Sequence, residues 1–213
     1  MKQVAILGSG QVGETLANGF LSHGFPVMRA SRDPSKLDAW KSTARGTASV
    51  GTFADAAKWG EIVVLAVQGA GAENAVVEAG PENLTGKTVI DTTNPIAGAP
   101  VNGCLPYFTG PNESLMERLQ KSAPTAHFVK AFSTVGSGFM VNPRFGSAPS
   151  MFICGNNAAA KLETTEILTL FGWDTVDVGG VELARAIEPL CILWCAPGFL
   201  HNDWAHAFKY LRA

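Results

Sequence analysis

The sequence predicts an α/β protein of the Rossmann type, a doubly wound parallel sheet with a small C-terminal α/β extension, and three observations carry that expectation. An apolar run over residues 2–7 leads directly into the glycine cluster Gly8-Ser9-Gly10-Gln11-Val12-Gly13. Short strand-like segments then alternate with helical ones along most of the chain. The first strand, helix and strand together span about 30 residues, the length that a right-handed parallel crossover requires.

Each element has its own signal. Val12, Leu16, Phe20 and Leu21 recur at helical spacing, and the pattern closes at His23-Gly24, which predicts a helix over 12–22. Residues 25–30 read as the second strand. A short strand over 48–50, a helix over 53–59 and a strongly apolar strand over 62–67 follow, then a helix over 73–79 and a strand over 88–91. A helix over 114–122 and a strand over 127–132 complete the alternation. Beyond the Pro-, Gly- and Ser-rich stretch 143–149, a strand over 151–154 leads to Asn156, expected to cap a helix over 158–171. Residues 173–178 read as a strand and 181–193 as a helix. The expected division is a Rossmann domain over 1–150 and a small strand-helix region over 151–213 that closes its cleft. Residues 94–112, with four prolines, read as a long loop of the kind that often carries function.

Composition narrows the function classes. Sixteen basic against eighteen acidic residues leave a net charge of −2 and no broad positive field, so nucleic acid is not an expected partner. No secretory leader pattern opens the chain, and no stretch reaches the ~18 uninterrupted apolar residues of a membrane span. The expectation is a cytoplasmic protein without a membrane partner. The apolar C-terminal segment with Trp194, Phe199, Trp204 and Phe208 would expose a large patch if left uncovered, which suggests a homodimer. Cys104, Cys154, Cys191 and Cys195 form no CxxC pair, which points to free thiols rather than a metal site or a disulfide framework. His201 and His206 flank Asp203, where packing is a simpler role than metal binding. No histidine stands in a nucleophile arrangement, so no catalytic side chain is assigned.

The chemistry-bearing motif is the GxGxxG turn. Its first glycine permits the tight turn, its second the approach of a pyrophosphate, and its third the close packing of helix on strand. The helix N-terminus adds unpaired amides. NAD-preferring proteins place an acid about 20 residues on, at the end of the second strand. Here Ala30-Ser31-Arg32 stands there with Lys36 nearby, a donor set suited to the 2′-phosphate of NADP(H). The competing reading has Asp33 turning back to the ribose. Because ligands lie beyond the carboxyl ends of strands in open α/β sheets, Ala66, Val67 and Gln68, then Asn94 and Pro95, are expected on the nicotinamide side. Ser133 and Thr134 belong to the same rim, where they either meet a second ligand or bond to their own backbone.

Together, residues 5–13, Ser31-Arg32-Asp33 with Lys36, 62–67, 91–95, 130–135 and the late stretch from Gly179 to Glu188 resemble the NADPH-dependent F-420 reductase family, the coenzyme F-420-dependent NADP oxidoreductases. The cytosolic domains of six-transmembrane ferric reductases look similar. The resemblance covers essentially the whole chain. It implies hydride transfer between NADPH and a deazaflavin stacked in a cleft, with residues 9–12 cradling the pyrophosphate and Ser31, Arg32 and Lys36 the 2′-phosphate. The chain departs from the family at Gln68-Gly69, where Pro then Trp is common, and at Ser133, where a histidine is common. Loss of the ring at 69 leads us to expect a roomier acceptor site. F-420, FMN and FAD are the candidate second ligands, a small-molecule redox acceptor being the expected partner. Two other readings stay open: a non-catalytic NADP(H)-binding redox sensor, and a reductase of a small carbonyl or imine. Related reductases of the latter kind carry a substantial helical domain after the Rossmann part, and 33 residues follow Gly180 here.

Overall fold

A six-stranded, wholly parallel sheet in the order β3-β2-β1-β4-β5-β6 forms the centre of the computed structural model, which describes residues 1–213. Its strands are β1 Val4–Leu7, β2 Val27–Ala30, β3 Ala48–Gly51, β4 Ile62–Leu65, β5 Thr88–Asp91 and β6 His127–Lys130. Strand β1 pairs with both β2 and β4, Leu7 lying level with Ala30 and with Leu65. The runs VAIL and IVVL are apolar at every position because helices cover both faces. Val4 and Ile6 point into one core with Leu16 and Phe20, while Ala5 and Leu7 point into the other with Phe53 and Val76.

The helices are α1 Gln11–Ser22, α2 Asp38–Thr43, α3 Phe53–Trp59, α4 Ala72–Ala79, α5 Leu115–Ser122, α6 Ala158–Leu170 and α7 Ala184–His201. Two open with reciprocal caps, Thr52 with Asp55 before α3 and Ser114 with Glu117 before α5. Strands β7 Ser150–Ile153 and β8 Asp174–Asp177 form a separate parallel pair, linked to β6 where the Lys130 N–H donates to the Cys154 carbonyl at 3.0 Å. Met151, Ile153, Leu168 and Phe171 share the core on the α1 side of the main sheet.

Four expectations need correction. Helix α6 is capped by Asn157, whose Oδ1 accepts from the Ala160 N–H at 2.9 Å, and Asn156 instead accepts from the Val181 N–H. Helix α2 follows a 3-10 turn over Pro34–Leu37 and has no counterpart in the sequence reading, being only six residues long with Trp40 its one buried side chain. Strands β4 and β6 end two residues early; after β6 the chain turns at Phe132, which takes φ +60°. Helix α7, which includes Pro189 as expected, continues through Pro197 to His201 rather than stopping at 193. The carbonyls freed by the two prolines belong to Arg185 and Leu193, both exposed, and burial of Ile187, Glu188, Cys191 and Trp194 holds the helix in place. Within Val181–His201 an 18-residue window has mean hydropathy 1.4, and the stretch is long and apolar enough on those measures to cross a membrane, although charged residues interrupt it. In this fold Arg185 pairs with Glu117 at 2.9 Å, which holds that carboxyl down at about 2, and Glu188 is buried against α5.

Glu188 belongs to a fully buried ionic network. The Lys130 ammonium lies 2.6 Å from Asp91 Oδ2 and 2.9 Å from Glu188 Oε1, and donates to the Thr93 carbonyl at 2.8 Å. Glu188 also accepts from the Leu115 and Met116 N–H groups at 3.0 Å each, at the positive end of α5. Burial alone would push the ammonium down, but the two carboxylates outweigh it and hold it above its ordinary value. Lys130→Met leaves two buried carboxylates short of a cation and is expected to lower the free energy of unfolding by about 3–5 kcal/mol in a urea titration. Lys2→Met, which removes an exposed pair with Glu163, is expected to cost under about 1 kcal/mol. Equal losses for the two would contradict the assignment.

Candidate functional site

Beyond the carboxyl ends of β1, β2, β4 and β5 lies a cleft of about 950 Å³, at the point where strand order reverses about β1. Gly8 opens the turn with φ +153°, and a Cβ there would stand 2.1 Å from the Ala66 carbonyl oxygen. The turn therefore sits on the end of β4 with no room for any other residue. Gly10 is the opposite case: it is the N-cap of α1 with ordinary extended geometry, and nothing lies within 4 Å of where its Cβ would be. Gly10 thus lines the cleft at the N-terminus of α1, the kind of helix end that can receive a phosphate.

The wall of the cleft brings together Gly8, Ser9, Gly10, Gln11 and Val12, then Ser31, Arg32 and Lys36, then Ala66, Val67, Gln68 and Asn94. Gly13 lies behind this wall, where a Cβ would meet the Gly8 carbonyl at 2.6 Å. Pro95 and Ser133 are buried next to the cleft but do not line it. Asn94 Nδ2 donates to the Ser133 carbonyl at 2.7 Å, while Asn94 Oδ1 and Ser133 Oγ are buried without a partner in the chain. Thr134 is buried beside Met151.

Arg32 and Lys36 are exposed and neither takes part in an ion pair, so both are free to meet an anion at the end of β2. Asp33 is committed elsewhere: its Oδ1 accepts from Ser35 Oγ at 2.6 Å and the Ser35 N–H at 3.2 Å, capping the 3-10 turn, and these bonds hold its carboxyl below the usual range. The geometry thus weighs against Asp33 as a ribose ligand.

Sequence reasoning missed part of the wall. Gly71, just before α4, and Asn74, Ala75 and Glu78, at helical spacing along α4, line the cleft, and Ile96, Ala97 and Gly98 extend it past β5. The spacing on α4 was a readable signal; residues 96–98 fall in the long loop over 94–112 that the sequence marks as a place for function, without a residue type that names their role. Arg29, behind the glycine turn, was also missed. The departure at Gly69 means something other than extra room, because a Cβ there would lie 1.9 Å from the Asn94 carbonyl oxygen. Backbone, not an absent ring, occupies that direction.

Outside the cleft, His206 bonds the Trp194 carbonyl at 2.9 Å and lies 3.6 Å from Asp203, and no three His, Cys, Asp or Glu side chains converge as a metal site. The cysteines are free; the Cys191 and Cys195 sulfurs stand 3.9 Å apart, and burial pushes the Cys154 thiol up to about 12.

Comparison with known proteins agrees with this geometry. Residues 3–95 match the family described as NADP oxidoreductase, coenzyme F420-dependent. A crystal structure from Arthrobacter sp. FB24, of a protein proposed to be an F420-dependent NADP-reductase, is 32% identical, with a TM-score of 0.91 and all of both chains covered. The rat metalloreductase STEAP3 is 28% identical over 203 residues, 93% of this chain, which spans only 39% of that protein's length. An imine reductase from Myxococcus stipitatus, 17% identical with a TM-score of 0.67, shares the fold over 91% of this chain and 60% of its own. By its full-length match to the Arthrobacter protein and its N-terminal sequence pattern, the chain belongs to the coenzyme F420-dependent NADP oxidoreductase family.

Proposed function

We propose that the cleft binds NADP(H) and that the protein passes a hydride between this cofactor and a flat redox acceptor, the deazaflavin F-420 or a flavin such as FMN or FAD. The observation that carries the reading is the pairing of open space over Gly10, at the amide end of α1, with two unpaired cations at the end of β2. A pyrophosphate fits the first and a 2′-phosphate the second.

In this reading the backbone of residues 8–12 holds the pyrophosphate, Ser31, Arg32 and Lys36 hold the 2′-phosphate, and Asn74 and Glu78 border the adenosine. Ala66, Val67, Gln68 and Asn94 line the nicotinamide half, with Pro95 and Ser133 supporting them from behind. NADPH, when bound, supplies the hydride. The chain orients the two rings and excludes water, and the segment 96–98 extends the cleft toward the acceptor. Positioning of this kind needs no side chain to give or take a proton.

Two substitutions test the assignment. Arg32→Ala removes charged hydrogen bonds to the 2′-phosphate and is expected to weaken NADPH by ~1.5–3 kcal/mol, roughly 10- to 150-fold, with NADH hardly changed in calorimetric titration. Equal losses for the two nucleotides would overturn the role given to Arg32. Gly10→Val places a side chain in the open space, so its thermal melt is expected to match the wild type while NADPH binding is lost. Anaerobic mixing with NADPH and F-420, FMN or FAD is expected to bleach at least one acceptor; binding without bleaching would favour the sensor.

A further inference from the structure

Arg29 is out of place by the ordinary rules of a buried parallel strand. Its neighbours on β2, Val27, Met28 and Ala30, are apolar, yet Arg29 is 1% exposed and is among the largest fully buried side chains of the fold. It lies level with Ile6 of β1, on the face covered by α1. Its Nη2 donates to the Gly10 carbonyl at 3.2 Å, and its guanidinium lies 4.8 Å from the centre of the Trp40 ring, which is held by a bond from Trp40 Nε1 to Asn18 Oδ1. Its one carboxylate partner is Glu14, at 3.4 Å and with its side chain half exposed, and its Nε is buried with no partner at all. A buried cation is costly unless fully paired, and this one is paired weakly.

We infer that Arg29 is a positioning residue for the cofactor: it fixes the Gly10 peptide from behind and lends positive charge to the pyrophosphate position, in competition with Glu14. The inference rests on the reading of the cleft as an NADP(H) site. The Gly10 carbonyl faces the guanidinium while the space beside its Cα opens to the cleft, so one residue separates the buried charge from the expected phosphates. Without a ligand, Glu14 is the only anion near Arg29. A bound pyrophosphate would supply the compensation that Glu14 gives incompletely, through a low-dielectric interior where charges interact strongly.

The test is calorimetric titration of three probes: NADPH, ADP-ribose, which keeps the pyrophosphate but lacks nicotinamide and 2′-phosphate, and 2′-AMP, which lacks the pyrophosphate. For Arg29→Met, affinity for NADPH and ADP-ribose is expected to fall about tenfold or more, with 2′-AMP unchanged, which also shows that the variant is folded. For Glu14→Gln, both pyrophosphate ligands are expected to bind a few-fold tighter while the ligand-free melting temperature falls, because the buried cation loses its partner. A purely structural pair would not tighten binding. In the double variant the gain from Glu14→Gln is expected to vanish, since it acts through Arg29. The inference is overturned if Arg29→Met binds ADP-ribose as the wild type does, if 2′-AMP falls in parallel, or if Glu14→Gln weakens the pyrophosphate ligands or tightens them equally without Arg29. A wild-type protein that binds none of the three probes overturns the reading of the cleft itself.

Discussion

The ammonium of Lys130 is the point at which separate parts of this chain are tied together. It joins Asp91 at the end of β5, Glu188 in the second turn of α7 and the Thr93 carbonyl in the turn that leads to the cleft. Through Glu188 it also reaches the first amides of α5. An apolar side chain of similar volume could fill the same space, but it could not fix the directions of four elements at once. Such a network contributes little net stability against a well-packed apolar alternative and a great deal against removal of one partner. Its structural consequence is orientation: Thr93 is held from both sides, by Asp91 at its N–H and hydroxyl and by Lys130 at its carbonyl. Asn94, the next residue, is thereby placed on the cleft wall.

At the other end of the cleft the constraint is steric. Gly8 packs so closely on Ala66 that the turn and the end of β4 form one surface, and Gly10 leaves space where the turn must receive a ligand. The cation-rich end of β2 completes the site, since the one acid there, Asp33, is occupied in capping its own turn. Backbone amides at the start of α1, the unpaired Arg32 guanidinium and the Lys36 ammonium thus share one cleft, which is what the proposed site for a phosphorylated dinucleotide rests on.

Much of this was legible in the sequence, and the reasons are physical. Parallel strands buried on both faces must be apolar throughout, so β1 and β4 stood out, and the helix over Phe53–Trp59 was read at the limits the structure gives it, where Thr52 and Asp55 form a capping box. The glycine turn was readable from its spacing and context. What could not be read depended on residues far apart in the chain. Asp91, Lys130 and Glu188 are separated by dozens of residues, and only the fold shows that three charges meet where no water reaches them. Arg29 looked like an ordinary strand residue until Gly10, Glu14 and Trp40 were placed around it. The end of α7 was placed too early for a related reason, since the helix continues past 193 and through Pro197 where it is held by tertiary packing.

The proposed function comes down to one central claim: that two rings would be held in line for direct transfer, without a side chain acting as acid or base. Stopped-flow mixing of the protein and its acceptor with NADPH carrying deuterium at the transferred position tests this most directly. The account expects acceptor reduction in a single turnover to be slowed by deuterium, and the slowing to persist across neutral pH with no side-chain ionisation controlling the rate. A rate indifferent to deuterium that instead follows a bell-shaped pH profile would contradict it, because such a profile reports an essential acid and base.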